Sequence, residues 1–149
     1  MTSINLLNLA KIGQLDSVPL SVDLVRRMLA TAKQRLRDAE FTQNSDETRF
    51  DCAYTTIRAA ADIGLHLNGF RTSTSKPGHH QTAIQCLTHT LGVDVATVRV
   101  LDGLRKQRNL SDYDGELVTD AALQECLSQA RTILIRIESV MQTHPELGR

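Results

Sequence analysis

From Thr119 to about Thr143, the residues Leu123, Leu127, Ala130, Ile133, Leu134, Ile137 and Met141 recur at steps of three and four. That period puts them on one face of an α-helix, and an apolar face of that length must be buried against a partner. The rest of the chain supplies such partners. Val22, Val25, Leu29, Ala32, Leu36 and Ala39 form a second stripe that starts after Ser21, an N-cap candidate, and ends near Phe41. Phe50, Ala53, Tyr54, Ile57, Ala60, Ala61, Gly64 and Leu67 form a third, from about Ser45 to Gly69, a glycine suited to stopping a helix. A further segment begins around Gly78 and His79 and runs to Leu91, with Ile84 and Leu87 inward. Asp94 then caps a segment with Val95, Val98, Leu101 and Leu104 in phase. Its valines also suit a strand, but the helical period decides. This segment runs into Arg105, Arg108 and Asn109 and stops in the turn-like SDYDG of residues 111–115.

Amphipathic segments with short connections and no credible strand predict an all-α fold, an up-and-down bundle of four to five helices. A length of 149 residues fits one domain with a real core, residues 1–18 being an N-terminal extension or short helix. RTSTSKPG, residues 71–78, reads as the clearest loop. With no Trp and only 3% aromatics, the core must be built from Leu, Ile, Val and Ala.

Seventeen basic and seventeen acidic residues leave no net charge, so any nucleic-acid contact requires a local patch. Cys52, Cys86 and Cys126 lie far apart without CxxC spacing, which argues against a disulfide framework and a zinc finger. They read as small core residues in a reducing cytoplasm. The N-terminal stretch lacks the basic-then-apolar pattern of a signal peptide, and no apolar run approaches the roughly 20 residues that span a bilayer. No metal or other cofactor is expected, because no His or Cys pair has ligand spacing.

The densest polar feature is LRKQRNLSDYDG, residues 104–115. Arg105, Arg108 and Asn109 share a helical face, and Tyr113 follows four residues after Asn109. Two guanidinium forks, an amide and a phenol can grip a phosphate and a base. From pattern alone, a solvated charged helix end is the plainer reading. His79 and His80, after the loop, are candidates for contacting the same ligand, although capping or packing is the plainer role for one of them. Arg26, Lys33 and Arg37 line one stripe that could join Arg99, Arg105, Lys106 and Arg108 in a basic groove, a solvated face being again the simpler account.

Three stretches in order, FDCAYTTIRAAADIGLHLNGFR, KPGHHQTAIQCL and LRKQRNLSDYDG, resemble a HEPN domain (higher eukaryotes and prokaryotes nucleotide-binding) over most of the chain. The resemblance implies a helical bundle that pairs as a homodimer with two motifs facing one cleft. It also implies metal-independent ribonuclease activity, often as a toxin beside a nucleotidyltransferase antitoxin. The family motif is Arg, commonly followed by Asn, then His. Arg108 and Asn109 match its start, and Tyr113 stands where the His would be. An imidazole titrates at about 6.5 and exchanges protons at neutral pH, whereas a phenol at about 10 does not, which puts efficient cleavage in doubt. Related branches carry an Arg…AspTyr form that Asp112 and Tyr113 resemble. The resemblance therefore leaves two outcomes open. One is an RNA-directed ribonuclease or a weakened relative, with Arg108, Asn109 and Tyr113 as catalytic residues and Arg105, His79 and His80 on the substrate. The other is a non-catalytic dimeric module that binds a nucleotide or a protein partner.

Overall fold

The computed structural model describes residues 3–115 and 117–147. In chain order its elements are α1 (Ile4–Lys11), β1 (Leu15–Ser17), α2 (Val22–Glu40), α3 (Asp46–Leu67), β2 (Phe70–Thr72), α4 (His79–Gln85), α5 (Leu87–Leu91), α6 (Val95–Asp114) and α7 (Asp120–Thr143). The fold is an all-α helical bundle. Among the described residues, no helix is long and apolar enough to cross a membrane.

The helix starts follow from capping. The hydroxyls of Ser21, Ser45 and Thr119 and the carboxylate of Asp94 accept hydrogen bonds from the free backbone amides of Leu24, Thr48, Ala122 and Thr97. α3 stops at Asn68, and Gly69 takes the left-handed turn at φ 83°. α6 continues through the segment expected to be a turn. It ends only at Gly115, whose φ of 69° is the left-handed conformation a glycine adopts without cost. Asp112 and Tyr113 are therefore helical.

Inter-helix contacts give the direction of each helix. Arg49 Nε donates to the Ala39 carbonyl at 2.8 Å and Thr56 Oγ1 to the Ala32 carbonyl at 3.4 Å, so α2 and α3 run antiparallel. Glu40 pairs with Arg131 at 3.1 Å and Lys33 with Glu138 at 3.0 Å, so α2 and α7 also run antiparallel. The start of α6 lies against the second half of α7, where Asp94 and Thr97 share a groove with Arg136 and Ser139, and its end leads directly into α7. This is the up-and-down arrangement.

α3 is the central helix. Phe50, Tyr54, Ile57, Ile63 and Leu65 are buried on it, and Ala53, Ala60 and Ala61 let its neighbours approach closely. Each large apolar side chain removed from water contributes roughly 1.5–3 kcal/mol. The three cysteines are free and buried. Burial pushes the thiols of Cys86 and Cys126 up to about 11 and about 12, which leaves them inert.

Two departures from expectation are local. A short antiparallel pair, Leu15↔Thr72 to Ser17↔Phe70, exists where no strand was expected and where the loop was expected to begin. It buries Leu15 and Phe70 and ties the N-terminal segment to the end of α3. The helix expected from His79 to Leu91 is two, because Cys86 adopts ψ −13°, too shallow to carry the α-helix through.

Candidate functional site

The site is built on one face of α6. Arg105, Arg108, Asn109, Asp112 and Tyr113 stand at i, i+3, i+4, i+7 and i+8 of a continuous helix. Across from them is the start of α4. Between the two lies an open cavity of about 270 Å³ lined by Gly78, His79, His80, Gln81, Arg105, Arg108, Asn109 and Tyr113. All six residues singled out from the sequence therefore line a single pocket. Tyr113 stands at its outer rim with 81% of its surface exposed.

Arg108 anchors the floor. Its Nε lies 3.1 Å from Asp51 Oδ1 on α3 and 3.0 Å from Asp112 Oδ2 one helical turn ahead. Its guanidinium carbon sits 5.6 Å above the Tyr54 ring. Partial burial opposes the charge, but Asp51 and Asp112 outweigh it and push the pKa up. Both ion pairs run through Nε, and among the described residues no intramolecular hydrogen bond uses the two terminal nitrogens. Those nitrogens form a fork still available to an anion. Arg105 is oriented by Asp102 at 2.9 Å, and Asp102 also meets Lys106 at 3.5 Å.

His80 Nε2 lies 3.1 Å from Arg58 Nη1. The guanidinium can only donate, so Nε2 accepts and the ring proton sits on Nδ1. Desolvation, then the cations Arg58, His79, Arg108 and Arg105, pull the His80 pKa down to about 4. His80 is thus a neutral ring whose basic nitrogen is already engaged, able to donate from Nδ1 but unsuited to act as a base. His79 meets it edge to face, with ring centroids 4.3 Å apart.

Behind the pocket, α3 presents Asp51, Tyr54, Arg58 and Asp62 at i, i+3, i+7 and i+11. Burial pushes Asp62 up to about 6, against the pull of Arg58 and His79. Burial likewise pushes Tyr54 up to about 12, and among the described residues its hydroxyl has no intramolecular partner. Asp51, Arg58 and Asp62 were not among the sequence candidates. The available signal was three charged residues in register within a helix otherwise rich in alanine and apolar side chains.

The proposed basic groove does not assemble. α2 packs on α3 and α7, away from the pocket. Lys33 is paired with Glu138, and Arg35 and Arg37 are engaged along their own helix with Asp38 and Gln34. Arg26 and Lys33 line a separate shallow cavity beside Met141 and Leu147. Among the described residues, no group of three His, Cys, Asp or Glu is placed to hold a metal ion.

The pocket therefore offers two oriented guanidiniums, a neutral imidazole N–H donor, an amide and a phenol, a set whose chemistry suits an anion carrying further hydrogen-bonding groups. Comparison with known proteins adds no family to this description: no family model, curated protein or solved structure matches the chain.

Proposed function

We propose that the chain is a HEPN-type protein that binds a phosphate of RNA or of a nucleotide in the α4–α6 pocket. The convergence of Arg105, Arg108, Asn109, Tyr113, His79 and His80 on one cavity supports this reading. The terminal nitrogens of Arg108 take two phosphate oxygens, with Arg105 beside them. Asn109 and the exposed Tyr113 meet the adjoining sugar or base, and His80 donates from Nδ1. Binding is favoured over efficient cleavage because the position of the family's His carries a phenol and the acceptor nitrogen of His80 is held by Arg58. The same resemblance implies a homodimer and a nucleotidyltransferase antitoxin as partners, and a ribonuclease toxin as the active form of the scaffold.

The test is single-stranded RNA of about ten nucleotides incubated with the full chain and with Arg108→Ala, binding read by fluorescence anisotropy and cleavage by gel. A charge-assisted phosphate contact is worth about 1.5–3 kcal/mol, so Arg108→Ala is expected to weaken binding roughly 10- to 100-fold. Equal affinity of the two proteins would sink the proposal. Cleavage by wild type that Arg108→Ala abolishes would move the chain to the ribonuclease reading. Activity gained only by Tyr113→His would show that the site lacks nothing but a base.

A further inference from the structure

The same short helix that walls the phosphate pocket also walls a second, larger cleft. Thr82, Gln85, Cys86 and His89 stand at i, i+3, i+4 and i+7 across α4 and α5. Facing them at the same spacing are Asn5, Asn8 and Leu9 on α1 and Ile12 at its C-cap. With Gln14, these two stripes line a cavity of about 550 Å³. Its lining contains no Lys, Arg, Asp or Glu, so neither a phosphate nor a metal ion has a charged partner there. What it holds in excess is carboxamides: Asn5, Asn8, Gln14 and Gln85. Among the described residues, none of these four side chains has an intramolecular hydrogen-bond partner. Leu9, half-buried, and Ile12, 64% exposed, supply apolar surface between them.

Apolar surface for a flat face and amides for the edges is the chemistry that takes a planar, uncharged, hydrogen-bonding ring. A carboxamide presents a donor and an acceptor side by side, which is how Asn and Gln pair with the edge of a base. Unpaired bases of single-stranded RNA are read through their edges in this way. Position fits as well. Gly78 and Gln81 belong to the phosphate pocket, and Thr82 and Gln85 to the amide cleft. At about 1.5 Å per residue the midpoints of these two residue pairs lie about 6 Å apart along the helix axis, a step one or two nucleotides can span.

We infer that the α1–α4–α5 cleft is a nucleobase site that receives a base of the strand whose phosphate is held by Arg108. The identity of the ligand as part of a nucleotide rests on the phosphate reading above. The cleft itself is tested without any phosphate.

Saturation-transfer NMR on the full chain with adenosine, guanosine, cytidine and uridine, and separately with ribose 5-phosphate, keeps the two sites apart. At least one nucleoside is expected to receive saturation from wild type and from Arg108→Ala but not from the double variant Asn8→Ala/Gln85→Ala. Ribose 5-phosphate is expected to show the reverse. With RNA, the double variant should bind a base-bearing decamer at least tenfold more weakly than wild type and an abasic decamer equally well. No saturation of any nucleoside, or saturation undiminished in the double variant, would overturn the nucleobase site. Ribose 5-phosphate indifferent to Arg108→Ala would overturn the phosphate reading alone. Asn8 and Gln85 are both exposed, and alanine favours helices, so the double variant is expected to fold.

Discussion

Two side chains beside the pocket titrate well away from the range their types show in water, in opposite directions, and both shifts are set by position. Asp62 lies on α3 behind the pocket, where burial raises it to about 6 from an ordinary 3.8 against the pull of Arg58 and His79. His80 is desolvated among cations and falls to about 4 from 6.5. Their effects on stability have opposite signs over nearly the same range. For Asp62 the folded state binds the proton more tightly, so its contribution is complete below about pH 4 and is lost as pH rises through about 6. For His80 the unfolded state binds the proton more tightly, so its contribution is present above about pH 6.5 and is lost as pH falls through about 4. His66, lowered by burial, acts in the direction of His80. Urea midpoints measured at pH 4, 5, 6 and 7 should separate the two. Asp62→Asn should gain stability relative to wild type as pH rises, and His80→Gln should lose it. After discounting for solvent screening each difference is about 1–2 kcal/mol across the window. Parallel curves for all three proteins would show that these groups titrate as they do in water.

At the scale of elements, α3 joins core and site because its opposite sides carry different chemistry, and its glycine marks the closest approach. A Cβ on Gly64 would lie 2.9 Å from Thr90 Oγ1 and 3.1 Å from Thr90 Cβ, so α5 packs almost onto the α3 backbone there. Gly103, in the middle of α6, has nothing within 4 Å of the same construction. One substitution therefore has opposite effects in two helices. Gly64→Ala should cost about 1–3 kcal/mol by overpacking, and Thr90→Ala, which removes the unpartnered hydroxyl but keeps the Thr90 Cβ, should restore part of it in the double variant. Gly103→Ala should stabilise by roughly 0.5–1 kcal/mol through helix propensity. Thermal melts of the four proteins decide the matter, and a harmless Gly64→Ala would mean α5 is free to shift. The long helices were legible because Ser21, Ser45, Asp94 and Thr119 sit at the head of strictly periodic stripes. β1 and β2 were not, because three residues are too few to show alternation and their pairing joins segments far apart in sequence. The extra turn of α6 was hidden because SDYDG carries turn-forming residues at four of its five positions, all but Tyr113. Only the geometry at Gly115 shows where the helix ends.

Across the whole molecule, charge is balanced and unevenly used. Seventeen cations and seventeen anions cancel, so no long-range field draws RNA in. Two cations of α2 are already engaged: Lys33 with Glu138 on α7 and Arg35 with Asp38 on its own helix. The pocket's cations are also paired, but Arg108 and Arg105 are held through Nε and both line the cavity. This division could not be read from the sequence, since Arg26, Lys33 and Arg37 form as regular a stripe as Arg105, Arg108 and Asn109. What separates them is which helices α2 and α6 pack against, a property of the assembled bundle. Salt dependence measures the difference directly. Each phosphate neutralised on a single strand contributes about −0.7 to the slope of log affinity against log salt. Two pocket guanidiniums predict a slope of about −1.4 or shallower, since Asp51 and Asp112 already neutralise part of Arg108. Arg105→Gln should flatten that slope by roughly half. Lys33→Gln with Arg37→Gln should leave affinity and slope unchanged. A slope several times steeper, or one that the α2 variants reduce, would mean that RNA lies along α2 and that the α4–α6 pocket is not where it is held.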